Sequence, residues 1–304
     1  MEAGEFEEVR GVDDLYVHDI GSFETDEYGA VYVFDTERPA VIDTGTGLNR
    51  DRLFETLDAI GIGRDDLAWI LPTHVHLDHA GGAGYLAEHH PAATVAVPER
   101  GVRHLVDPEA LVAGTKSAVG DQWRHYADPK PVPADRISGL AEGDQIDLGD
   151  RELVVYETPG HAPHHAVYHE PKSDVVFTGD AAGLYVPSVD AVRPTTPPPQ
   201  FDLDQSLADV RRIEELNPKY LCFGHFGPRR YEPELLGEAK RAYVEWVETV
   251  RQKREELADD EAVVEHFEAA SVDLDIWNPE RARAEESLNT RGVLTSLDRV
   301  ESER

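Results

Sequence analysis

The stretch THVHLDHAGG, residues 73 to 82, sets His74, His76, Asp78 and His79 within six positions, directly after the apolar run LAWILP. A lone His or Asp at the end of a strand is usually a turn or hydrogen-bonding residue, but four on one loop make an inventory fit for metal. Three more candidates close later strand-like runs: His161 in TPGH, Asp180 in FTGD and His225 in CFGH. Each follows a glycine, which permits a tight turn or a close backbone approach. The set holds five imidazoles, two carboxylates and no thiolate. It suits Zn(II) and also Fe(II) or Mn(II), so residue type leaves the metal open. Two such cations about 3.5 to 4 Å apart share a hydroxide whose pKa falls to roughly 7, and they polarise a carbonyl or phosphoryl oxygen. No G-x-S-x-G nucleophile motif occurs, so metal-bound water is the expected nucleophile.

The other histidines divide by context. His89, His90, His104, His125 and His266 sit in acidic or helical surroundings and read as solvated side chains. His164 and His165, in HAPHH, read as groups that either support the ligands or face substrate. The single cysteine, Cys222, cannot form an internal disulfide and reads as a small buried hydrophobe.

The elements that must position these groups alternate in type over roughly the first two hundred residues. LYVHDI, AVYVFD and PAVIDTG are rich in Val, Ile and Tyr and are separated by turn residues, which predicts neighbouring strands. NRDRLFETLDAI carries Leu53, Leu57 and Ile60 at helical spacing, with Asn49 as the expected N-cap. LAWILP is the strand whose C-terminal end carries the histidine loop. GAGYLAEHH reads as helix, ATVAVP as strand, and residues 99 to 127 as a polar, helical segment. DQIDLG, RELVVYET, HAVYHE and DVVFTG form a second group of strands. RPTTPPPQFD, Arg193 to Asp202, is a rigid, extended loop by composition. DLDQSLADVRRIEEL then reads as helix and KYLCFG as the last strand. From about Tyr231 the chain turns to charged helix. The expected organisation is a domain over 1–230 and a helical extension over 231–304.

On Asp43 in VIDTG, HVHLDH, PGH, TGD and GH, in that order, the sequence resembles the metallo-β-lactamase superfamily, in its glyoxalase II-like branch. The resemblance covers residues 1 to about 230. It implies an α/β fold, a four-layer αβ/βα sandwich of two mixed sheets with metals at one edge. It further implies two Zn(II), with Fe or Mn as alternatives: His74, His76 and His161 on one ion, Asp78, His79 and His225 on the other, and Asp180 bridging. Asp78 and Asp180 are the catalytic carboxylates, and Asp43 stands behind the ligands, orienting one of them by a hydrogen bond. True class B β-lactamases match less well, because the commoner ones place a cysteine at the second metal. The complete ligand set is similar to glyoxalase II, quorum-signal lactonases and tRNase Z, and the helical tail resembles the glyoxalase II extension. No basic residues in it match a glutathione site, which leaves the thiol open.

Bulk composition narrows the partners. Asp plus Glu number 61 against 29 Lys plus Arg, a net charge of -32. Spread along the whole chain, this resembles the surface of proteins from salt-accumulating halophiles. Such a field disfavours nucleic acid, and PRRYEP is the one small basic cluster near a ligand loop. No run resembles a signal peptide or a membrane span, so a cytoplasmic, soluble protein is expected, and oligomeric state is left open. The expected reaction is hydrolysis of a thioester, lactone or related small acyl substrate. A phosphodiesterase of the tRNase Z type ranks second and a non-catalytic binding module third. Substrate selection is expected in residues 22 to 29, 99 to 135 and 183 to 202, with Tyr28, Tyr185, Arg193 and Thr195 as contact candidates.

Overall fold

The computed structural model describes residues 1–271 and 277–302. The expected helical tail is therefore described except for residues 272–276 and 303–304, which lie outside the described residues. The chain folds into two compact units: Met1–Glu157, His164–Gly179 and Pro218–Tyr231 form one, and Thr158–Pro163, Asp180–Asn217 and Glu232–Arg304 form the other. The second unit thus holds, besides the helices after residue 231, two stretches that precede them by far in sequence.

The first unit contains two mixed sheets, in a mixed α/β architecture. One runs in spatial order β1 (Phe6–Glu8), β2 (Leu15–Asp19), β3 (Ala30–Phe34), β4 (Ala40–Ile42), β5 (Trp69–Leu71), β6 (Thr94–Pro98) and β7 (Ile137–Leu140). Its first four strands form an antiparallel meander, and its last four are parallel. Parallel pairing needs crossovers, supplied by α1 (Arg50–Ile60) between β4 and β5 and by α2 (Leu77–Ala80) and α3 (Ala83–His89) between β5 and β6. α4 (Glu99–Val106), α5 (Glu109–Val119) and a 3-10 turn over Gly120–His125 lead to β7. The second sheet has β8 (Gln145–Asp147), β9 (Glu152–Glu157), β10 (Ala166–Glu170) and β11 (Val175–Gly179) in antiparallel order, then β14 (Tyr220–Phe223) parallel to β11 and β15 (Pro228–Arg230) at the edge.

Strand periodicity decides which side chains build which core. In β3, Ala30, Tyr32 and Phe34 point into a core shared with Leu153, Val155, Tyr168, Phe177 and Cys222 of the second sheet. Val31 and Val33 point the other way, joining Val41, Ile70, Val95 and Val97 against Leu53 and Leu57 of α1 and Leu86 of α3. Each such fully buried side chain contributes about 1.5 to 3 kcal/mol. Cys222 is buried in the core, as its sequence context predicts, and the low dielectric there pushes its thiol well up.

Three expectations are corrected. Asn49 stands at the N-cap of α1 but does not cap it; its side-chain amide donates to the Gly21 carbonyl at 2.8 Å instead. KYLCFG is not the last strand, since β15 follows it and pairs back. His90 is 1 % exposed and so is not a solvated side chain.

The second unit holds a hairpin of β12 (Leu184–Val186) and β13 (Ala191–Arg193), together with α6 (Leu203–Leu216), α7 (Pro233–Leu257), α8 (Asp260–Ala270) and α9 (Pro279–Ser302). Asp202 caps α6, its carboxylate accepting from the Gln205 amide at 3.0 Å. The Pro-rich loop is pinned from α9: Asn289 accepts from the Thr196 amide at 2.6 Å, and the Thr196 hydroxyl donates to the Asn289 carbonyl at 2.9 Å. Among the described residues, no helix is long and apolar enough to cross a membrane.

Candidate metal centre

The histidine loop begins where β5 ends, and its backbone is fixed at both sides. The Tyr168 hydroxyl donates to the Pro72 carbonyl at 2.7 Å, and the Ala166 amide to the Thr73 carbonyl at 2.9 Å. On the far side, the Thr44 amide and hydroxyl both donate to the His79 carbonyl, at 2.6 and 2.9 Å. Residues 77–80, expected as loop, wind into the single turn of α2, so Asp78 and His79 project from adjacent helical positions.

Asp43 organises the loop from behind. It has φ 60°, a left-handed conformation that Asp tolerates better than most residues. Its carboxylate accepts from the Thr73 amide at 2.7 Å, from the Thr73 hydroxyl at 3.0 Å and from His79 Nδ1 at 2.9 Å. Because the Thr73 hydroxyl gives its proton to Asp43, it is the acceptor toward His74 Nδ1, 3.1 Å away. His225 Nδ1 stands 2.8 Å from the Tyr28 carbonyl. A carbonyl can only accept, so this nitrogen carries the proton. In His74, His79 and His225 alike, Nδ1 is spent on a fixed acceptor and the lone pair is left on Nε2.

The rings are close together, those of His74, His79 and His225 buried and that of His76 half-buried. His74 lies 4.6 Å from His76 and 4.2 Å from His79 between centroids, and His79 lies 5.0 Å from His225. His74 Nε2 is 3.0 Å from His76 Nδ1. The donor atoms of Asp78, His79 and His225 all fall within 4.8 Å of one another. The His165 ring lies 4.8 Å from that of His74, tilted by 36°, and His164 accepts from the Val75 amide at 3.4 Å, so both adjoin the loop. The first unit therefore gathers His74, His76, Asp78, His79 and His225, backed by Asp43.

In the second unit, His161 and Asp180 are paired, with Nε2 to Oδ2 at 3.4 Å. Thr195 holds both: its carbonyl is 3.3 Å from His161 Nδ1, and its hydroxyl donates to the Asp180 carbonyl at 2.9 Å. The Tyr243 hydroxyl on α7 adds a bond to the Asp180 carbonyl at 3.3 Å and lies 3.1 Å from the Thr195 hydroxyl. Again Nδ1 faces a carbonyl, which leaves the His161 lone pair on Nε2. The turn before His161 is closed by Asp209, which accepts from the Gly160 amide at 2.6 Å; burial pushes its carboxyl up to about 6. Only glycine fits at 160, because a Cβ would lie 2.3 Å from the Ser206 amide nitrogen. Gly179, before Asp180, takes φ 46°, the second place where an expected glycine is required by conformation.

Sequence reasoning missed Tyr243 and Asp209, which stand in no motif, and gave no role to Thr73 at the head of the histidine stretch. Thr195 and Tyr28, expected as substrate contacts, are buried and face the rings of His161 and His225 with their backbone carbonyls. The donor set, imidazole nitrogens and carboxylates with their outer atoms tied down, fits a transition-metal ion.

Residues 25–225 match the model of the metallo-beta-lactamase superfamily. The chain is 33% identical over 223 residues to the metallo-beta-lactamase fold-containing protein ST1585 of Sulfurisphaera tokodaii, covering 72% of this chain and 79% of that one. Against the crystal structure of ST1585 the TM-score is 0.72 at 26% identity, over 93% of this chain and 99% of the other. The acyl-coenzyme A thioesterase MBLAC2 of Bos taurus is 34% identical over 163 residues, 48% of this chain and 54% of its own. The hydroxyacylglutathione hydrolase of Bdellovibrio bacteriovorus is 28% identical over 168 residues, 55% of this chain and 52% of its own. The chain thus spans about half the length of these last two relatives.

Proposed function

The chain belongs to the metallo-β-lactamase superfamily and is a metal-dependent hydrolase, and from that premise we propose that it cleaves a small acyl thioester or lactone at a centre of two transition-metal ions. Zn(II) is the first candidate, with Fe or Mn as alternatives. In this reading His74, His76 and His161 hold one ion, Asp78, His79 and His225 hold the other, and Asp180 serves both. What carries the reading is the shared tautomer: His74, His79, His161 and His225 each commit Nδ1 to an acceptor of the protein, so each presents an Nε2 lone pair. The thioesterase and glutathione-ester names of two relatives favour an acyl substrate.

Ions bound there would supply a nucleophile at neutral pH and polarise the carbonyl under attack. The protein's part is to hold donors in place. Asp43 fixes the ring of His79 and, through Thr73, that of His74, while backbone carbonyls of Tyr28 and Thr195 fix His225 and His161. Each ring is thereby oriented before any ion arrives, so little ordering entropy remains to be lost. Asp78 and Asp180 bring negative charge that offsets the ions' own. The buried thiol of Cys222 takes no part.

The test is a rate comparison at matched metal content between a generic acyl thioester or lactone and a simple phosphodiester. Acyl cleavage should be at least tenfold faster, about 1.4 kcal/mol in barrier, and should be lost in His76→Ala. The reverse preference would replace this reading with phosphodiester hydrolysis.

A further inference from the structure

A cavity of about 340 Å³ opens between α1 and α3, on the helical side of the first sheet. In a chain with a net charge of -32, its lining is cationic: Arg50, Arg64 and Lys130 face it against the one carboxylate of Glu88. Lys130 is ion-paired to Glu88. Among the described residues Arg50 and Arg64 have no carboxylate partner, although Asp and Glu number 61. Arg50 is held ready by other means: its guanidinium stacks 4.2 Å from the centroid of Tyr85 and donates to the Gly47 carbonyl at 2.9 Å. Phe54 and His89, stacked at 4.1 Å and 16°, form a second flat wall. Positioned guanidinium groups beside aromatic faces suit a ligand that carries phosphate and a flat ring. The volume suits part of such a molecule.

Backbone contacts link the cavity's Arg50 to the helical turn of the histidine loop. Gly47, which accepts from Arg50, packs its backbone on Gly81, where an added Cβ would stand 2.7 Å from the Gly81 carbonyl. The Gly81 amide in turn donates to Leu77 in α2, the turn that carries Asp78 and His79.

We propose that this cavity seats the phosphorylated, ring-bearing end of the thiol released from the thioester, a thiol of the coenzyme A class. The assignment rests on the thioester reading above. The pocket holds the leaving group by its far end, so a substrate lacking phosphate loses binding energy without losing the reacting bond.

The test uses the full, metal-loaded chain at low salt, with coenzyme A and pantetheine titrated by calorimetry into wild type and into Arg64→Glu and Lys130→Ala, both outside the metal loop. Coenzyme A should bind wild type, and its Kd should rise at least tenfold in Arg64→Glu and less in Lys130→Ala, while pantetheine binding is unchanged. In hydrolysis, KM for acetyl-coenzyme A should rise in Arg64→Glu while kcat/KM for the acetyl thioester of N-acetylcysteamine stays level. Equal coenzyme A affinity in wild type and Arg64→Glu overturns the pocket assignment. If coenzyme A binding is lost in Arg64→Glu but no thioester is cleaved by wild type, the pocket stands as a nucleotide-phosphate site and the thioester reading fails.

Discussion

In the first unit, four donors come from one loop after β5, with Asp43 at their back, whereas in the second unit His161 and Asp180 come from separate turns and meet over Thr195. The loop is fixed within its own unit from both sheets: Asp43 follows β4, which pairs with β5, and Tyr168 and Ala166 of β10 hold Pro72 and Thr73. The pair is fixed from α7, through Tyr243, which lies far along the chain. The loop is thus lashed by strands and loops of its own unit, while the pair depends on how α7 packs within the second unit. Side-chain changes should therefore separate the two regions: in the loop they should act on metal with little effect on stability, and in the pair on both.

The largest of these effects is expected at Asp43. Asparagine tolerates the same left-handed backbone but turns an acceptor into a partial donor toward Thr73 and His79. Asp43→Asn should lower metal affinity about 10- to 100-fold, read by chelator competition, with a small change in melting temperature. Unchanged affinity would remove Asp43 from its orienting role.

A buried imidazole outside both regions supplies a reference for acid sensitivity. Burial pushes His18 down to about 4, against a weaker upward pull from a hydrogen bond to the Glu5 backbone. The unfolded chain takes up this proton near pH 6.5 while the native fold resists it until about 4. The contribution is full above 6.5 and declines as pH falls through that window, by about 2 kcal/mol at pH 5. Metal-free His18→Gln protein should lose correspondingly less stability between pH 7 and 5 in urea titrations. Parallel pH curves for the two proteins would contradict this.

The smallest effect belongs to the pair. Tyr243→Phe removes one hydroxyl from the Thr195 and Asp180 bonds and should cost about 1 kcal/mol of stability. A few-fold loss of metal affinity should accompany it. Loss of affinity alone, at constant stability, would mean that the second region is as local as the first.

This contrast also explains what could be read from sequence. HVHLDH is dense enough to read as a metal-type cluster without a structure, whereas AVYVF reads only as a strand: it is apolar throughout, so the sequence does not say which of its side chains enter the core between the sheets. PGH and TGD were legible as glycine turns, because glycine is needed there for space and for φ. Thr73, Tyr243 and Asp209 were not, because each works through a hydrogen bond to backbone or to a neighbour's ring, and any of many Thr, Tyr or Asp residues could have done so. Asn49 carries the composition of a cap, but a competing carbonyl at Gly21 captured its amide.

The central claim, that these imidazoles and carboxylates hold two ions with Asp180 common to both, is tested most directly by counting metal ions per chain in purified wild type and Asp180→Ala. The account predicts close to two transition-metal ions in the wild type and a loss from both sites in the variant. Full occupancy in Asp180→Ala would contradict the shared role of Asp180, and a metal-free wild type after loading with Zn(II), Fe(II) or Mn(II) would contradict the centre itself.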